Sequence, residues 1–122
     1  MYESGEMYLE TILVLKKRKG QVRSIDIARE LDFSKPSVSR AVGILKEDDF
    51  ISIDESGHID LTEKGKDKAK SIYEKHKSLT SFLIEIVGVS PEIAEEDACR
   101  MEHFISDETF EGIKRLLHNK DE

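Results

Sequence analysis

The chain has 122 residues, 37% of them charged against 38% hydrophobic, with no tryptophan, one cysteine and a net charge of −7 at neutral pH. That length holds one domain or two small subdomains sharing a core, and a core this thin suits burial in an oligomer. No run of apolar residues is long enough for a membrane span, the N-terminus lacks a signal-peptide layout, and a lone cysteine closes no internal disulfide, so the cytoplasm is the expected compartment.

In chain order, Met7, Ile12, Leu13 and Leu15 predict a first helix from about Ser4 to Lys17, closed by Gly20. Ser24 then reads as the N-cap of "IDIAREL", a short amphipathic helix with Ile25, Ala28 and Leu31 on one side. After the tight connection "DFS", Ser34 caps a third helix with Pro36 in its first turn, where a missing N–H costs little. Val38, Ala41, Val42 and Leu45 form its inner stripe, and Pro36, Ser37, Ser39, Arg40 and Gly43 face outward. The period then changes. "FISID" alternates, "ESG" turns, and "HIDLT" returns as a second strand. Thr62 and Glu63 open a long helix to about Val87, broken by Gly88. Pro91 starts a helix over "PEIAEEDACRMEHFI", and Ser106 caps a last one, "DETFEGIKRLLHN". The expected fold is mainly α. Three helices and a β-hairpin wing make an N-terminal winged helix-turn-helix over residues 1–63, and an α-helical region fills 64–122.

Net charge argues against nucleic acid, but its distribution does not. Residues 16–46 hold nine Lys/Arg against three Asp/Glu, a local excess of +6 suited to phosphates. A major-groove helix needs small or polar residues at its N-terminal end, and "SKPSVSR" supplies them. Ser34, Ser37 and Ser39 can bond bases or phosphates, Arg40 can offer two donors to a guanine edge, and Pro36 can meet a thymine methyl. Lys35 and Arg23 lie in the same basic window. The hairpin, with Gly57 at its tip, would lie over the DNA backbone. So few contacts per chain imply a dimer reading two half-sites of double-stranded DNA. An ordinary solvated basic helix is the competing reading.

In "DACRMEHFISDE", Cys99, Glu102 and His103 stand at i, i+3 and i+4 and would share one helical face. Thiolate, carboxylate and imidazole all ligate first-row metals. Met7 and Glu10, also three apart, and His76 on the long helix are further donors. On spacing alone, a buried cysteine, a surface glutamate and a half-buried histidine explain the same pattern and are narrowly the better reading, because three residue types at helical spacing are a weak signal.

Four stretches carry a resemblance: "EMYLETI", "IARELDFSKPSVSRAV", "LTEKGK" and "DACRMEHFISDE". Over nearly its whole length the chain resembles the diphtheria-toxin-repressor family of iron- and manganese-dependent transcriptional regulators. The resemblance implies a winged-helix DNA-binding region followed by a helical metal-binding and dimerisation region, in a short form lacking the family's SH3-like domain. It puts Met7, Cys99, Glu102 and His103 on the activating metal site of the iron branch. It puts His76 on a ligand of both branches and Glu10 on a ligand of the manganese branch. An ancillary site is incomplete, with Thr80 where that branch has a carboxylate and Glu95 where it has a histidine. A second ion would have to use Glu10, His76 and Glu95.

The expected function is therefore a repressor activated by Fe²⁺ or Mn²⁺, with Co²⁺, Ni²⁺ or Zn²⁺ as surrogates. It would bind operator DNA as a homodimer, with no membrane and no organic substrate, and control metal homeostasis genes. The sulfur pair Met7 and Cys99 favours Fe²⁺ over Mn²⁺ on ligand softness. The alternative is a metal-independent winged-helix regulator answering an organic ligand or a protein partner. An enzyme is not expected, since no HExxH motif, glycine-rich phosphate loop or nucleophile triad occurs.

Overall fold

A computed structural model describes the backbone of residues 3–120 and the side chains of residues 5–119. The elements run α1 (Glu3–Lys19), α2 (Ser24–Leu31), α3 (Lys35–Glu47), β1 (Ile51–Ile53), β2 (Ile59–Leu61), α4 (Glu63–Phe82), α5 (Pro91–Met101) and α6 (Asp107–Lys120). A π-helical turn, Leu83–Val87, continues α4 and ends at Gly88, whose φ of 88° is left-handed. The chain divides into two compact units, residues 1–70 and 71–122. Among the described residues no helix is long and apolar enough to cross a membrane.

The first unit is a winged helix-turn-helix. Its buried positions repeat at three and four on α1 (Leu9, Ile12, Leu13) and on α3 (Val38, Val42, Leu45), which turns each stripe inward. Ser34 caps α3, its Oγ accepting from the Ser37 N–H at 3.3 Å. At α2 the expected cap is corrected. Ser24 is the first helical residue and Arg23 is the N-cap, because the Arg23 N–H donates to Asp26 Oδ2 at 2.9 Å and so supplies the closing bond one residue earlier.

β1 and β2 pair antiparallel with Ile51 opposite Leu61, Ser52 opposite Asp60 and Ile53 opposite Ile59. Ile51, Ile59 and Leu61 are buried while Ser52 and Asp60 face solvent. The Ile59 N–H donates to Val22 O at 2.7 Å, which seats the hairpin beside the start of α2. The first turn of α4 closes on the same region. Thr62 Oγ1 donates to Asp49 O at 2.7 Å, and at Gly65 any Cβ would run into the Phe50 carbonyl oxygen, so only glycine lets the helix approach.

In the second unit Leu79, Leu83, Ala94, Ala98 and Ile113 form the core, lined by Phe82, Val89, Met101, Ile105 and Phe110. Ser90 and Ser106 cap α5 and α6, accepting from the N–H groups of Ile93 and Thr109. The helix expected to run through Ile105 ends at Met101. The N–H of Phe104 turns back to Met101 O at 3.0 Å, a tight turn of three-residue spacing, and Ser106 then starts a new helix.

Candidate metal centre and DNA face

Within residues 71–122 four predicted ligands converge. His76 projects from α4 between two carboxylates, with Nδ1 2.7 Å from Glu102 Oε2 and Nε2 2.8 Å from Glu95 Oε1. The other oxygen of Glu102, Oε1, lies 3.2 Å from His103 Nε2. Glu102 is only 1% exposed, although a glutamate is almost never buried unless paired. It keeps right-handed helical geometry (φ −58°, ψ −25°) as the C-cap of α5, its N–H bonding Ala98 O at 3.0 Å. That last helical register aims its side chain inward, while His103 already belongs to the following turn. The single helical face expected for Cys99, Glu102 and His103 is thus a helix end plus a turn.

The Glu102 carboxylate beside it, with Glu95 adding to the effect against the opposing cost of burial, pushes His76 up to about 9 from an ordinary 6.5. Thr80, one turn later, spends its hydroxyl on His76 O at 2.8 Å and so braces the backbone that carries the imidazole. Cys99 is exposed on α5, not the buried hydrophobe that a lone cysteine commonly is. In the first unit, Met7 and Glu10 stand half-buried one turn apart on α1. Two imidazoles and two carboxylates, one of them buried, form a nitrogen and oxygen donor set suited to first-row divalent cations. The residues present therefore fit a metal.

The other predicted face lies in the first unit. Lys35, Pro36, Ser37, Ser39 and Arg40 are all exposed on α3, and Arg23 is exposed at the start of α2. A hollow lined by Ser24, Ile25, Lys35 and Ser39 joins the N-terminal ends of the two helices. Ser34, also exposed, caps α3, and its hydroxyl also donates to Ser37 Oγ at 2.9 Å.

Part of the basic window over residues 16–46 is engaged in surface ion pairs. Lys16 pairs with Asp60, Arg18 with Glu30 at 2.9 Å and Lys19 with Asp26 at 2.6 Å. Lys19, together with the Arg23 N–H, holds the Asp26 carboxyl below the usual carboxylate range. Two of these acids lay inside the basic window, but their pairing across elements has no local sequence signal.

Fold and sites together define a winged-helix regulator with a candidate metal centre. The profile of the iron dependent repressor N-terminal DNA binding domain matches residues 1–59, and that of the iron dependent repressor metal binding and dimerisation domain matches residues 62–122. The chain is 35% identical over 118 residues to a helix-turn-helix-type transcriptional regulator of Methanocaldococcus jannaschii, covering 96% of this chain and 94% of that one. It is 31% identical over 119 residues to the iron-dependent repressor IdeR of Mycobacterium tuberculosis, covering 98% of this chain and 52% of that one. The solved structure of the manganese regulator SloR superposes with a TM-score of 0.82 at 31% identity, covering 93% of this chain and 53% of that one. The chain thus spans about half the length of IdeR and SloR. It belongs to the iron-dependent repressor family, whose members are DNA-binding transcriptional regulators and not enzymes. The family is metal-dependent, includes both iron and manganese regulators, and dimerises through the C-terminal domain.

Proposed function

We propose that this chain is a cytoplasmic repressor of metal homeostasis genes, switched on by Fe²⁺, with Mn²⁺ as the runner-up. The observation that carries the reading is the buried Glu102 carboxylate shared between His76 and His103, with Glu95 on the far side of His76. Met7, Glu10 and Cys99 complete the donor list by resemblance, and the sulfur of Met7 and Cys99 is the reason to favour Fe²⁺ over Mn²⁺. A bound divalent cation supplies the positive charge that offsets the glutamates.

The protein's own residues do the rest. His76 gives up the proton it shares with Glu95 and Glu102, Thr80 keeps its backbone in place, and Glu102 keeps one oxygen for each histidine. The DNA-reading part, which we end near residue 63, presents Ser37, Ser39 and Arg40 to base edges and Arg23 and Lys35 to phosphates. Exposed Val87, Ile93, Phe104 and Leu116 give the second unit an apolar surface for a second copy. Loading the cluster fixes the spacing of two recognition helices, and groove binding requires a fixed half-site spacing.

The test is duplex DNA containing the chain's own promoter, titrated anaerobically with metal-stripped, reduced protein plus Fe²⁺, Mn²⁺ or Zn²⁺. Retention by the loaded form and release by a chelator support the reading. Equal binding with and without chelator favours the metal-independent regulator instead.

A further inference from the structure

The hairpin that follows the recognition helix has the wrong charge for a phosphate contact. Residues 50–62 contain no lysine or arginine, yet hold Asp54, Glu55 and Asp60. Asp60 is compensated by Lys16; Asp54 and Glu55 at the turn are exposed, Asp54 Oδ2 lying 3.4 Å from His58 Nδ1, and neither acid has a Lys or Arg ion pair among the described residues. Asp54 is fixed in place, because its Oδ1 accepts from the N–H groups of Ser56 and His58, both at 2.9 Å. Gly57, at φ 84°, lets the turn close.

This turn is continuous with the DNA face. The Ile59 N–H bonds Val22 O, which puts the hairpin next to Arg23. From there Ser24 and Ile25 line the hollow that reaches Lys35 and Ser39 on α3. A phosphate backbone lying along that face meets cations at α2 and α3 and anions at the hairpin.

We propose that the hairpin turn, through Glu55 and Asp54, is a phosphate-repelling stop that lowers the chain's affinity for random DNA and leaves recognition to α2 and α3. The inference rests on the DNA-binding reading above. Two like charges near a surface interact modestly through water, and salt screens them, so the effect is largest at low ionic strength.

Glu55 bonds no backbone group in the turn, so Glu55→Gln and Glu55→Lys change charge while Asp54 still holds the loop. The measurement is the affinity of Mn²⁺-loaded protein for a short random-sequence duplex over a series of salt concentrations. Glu55→Gln should tighten binding about threefold at low salt. Glu55→Lys should tighten it about tenfold and steepen the slope of log K against log salt by about 0.9, one added phosphate contact. Unchanged affinity and slope in both variants, or weaker binding by Glu55→Gln, would overturn the repelling role while leaving DNA binding intact. A wild-type protein with no affinity for the duplex at low salt would overturn the DNA-binding reading, and this one with it.

Discussion

In residues 1–70 the ion pairs Arg18–Glu30 and Lys19–Asp26 sit at the surface, each with at least one partner in solvent, whereas in residues 71–122 His76 and Glu102 meet out of water. Exposed pairs contribute roughly 0–1 kcal/mol each and are easily exchanged for another partner, a phosphate included. Removing one member of a buried pair typically costs about 3–5 kcal/mol, because the other is left charged and unsolvated. The first unit is therefore built to trade surface charges without unfolding. The second holds a charge arrangement that changes when the proton on His76 is lost or replaced. Reading DNA suits the former and sensing a cation suits the latter.

The sharpest way to break this contrast is in the buried cluster. Glu102→Ala should weaken divalent-metal binding at least about 100-fold, since in the proposed site it removes an oxygen donor and the carboxylate that both histidines face. Isothermal titration of the reduced protein with Mn²⁺ checks this. A loss below tenfold would mean that the ion sits elsewhere. Next in size is Gly65→Ala in the first unit, which forces α4 off the Phe50 carbonyl and should cost about 3 kcal/mol in urea unfolding. A change within 0.5 kcal/mol, on the order of a neutral surface substitution, would show that the helix can shift at no cost.

A smaller effect concerns pH. The folded His76 is raised to about 9 from 6.5, so the stability it contributes is fully present below pH 6.5 and is lost as pH rises through 9. The metal-free protein should lose several degrees of melting temperature over that window, and His76→Gln should flatten the loss. Metal affinity should move oppositely, rising with pH, because the proton and the ion compete for the same imidazole. The smallest expected effect is at the surface. Arg18→Ala should change stability by less than about 0.5 kcal/mol, and a larger loss would place that ion pair with the buried ones.

Much of this was legible in the residues. Apolar periodicity and capping serines placed the helices, and β-branched alternation placed the hairpin, because these signals are local. His76, Glu95, Glu102 and His103 were each named from spacing or resemblance, but the spacing carried no sign that Glu102 would be buried or that His76 would lie between two carboxylates. Those facts depend on α4 and α5 meeting side by side, contacts 19 and 26 residues apart in the chain. The break after Met101 was missed because the apolar pattern through Phe104 and Ile105 suits a helix. The backbone instead closes into a tight turn there, with the Phe104 N–H on Met101 O, before Ser106 starts α6. The surface pairing of the basic run was not legible for the same reason, since Asp60 reaches Lys16 only once the hairpin is formed.

The most direct test of the account is reciprocal coupling. The dissociation constant for Mn²⁺ should be measured by titration of the reduced protein alone and then saturated with promoter DNA. Allostery between a metal centre and a DNA face predicts that DNA tightens Mn²⁺ binding by the same factor by which Mn²⁺ tightens DNA binding, about 5- to 150-fold. An Mn²⁺ affinity indifferent to DNA would mean that the buried glutamate and histidines do not speak to the reading helix at all.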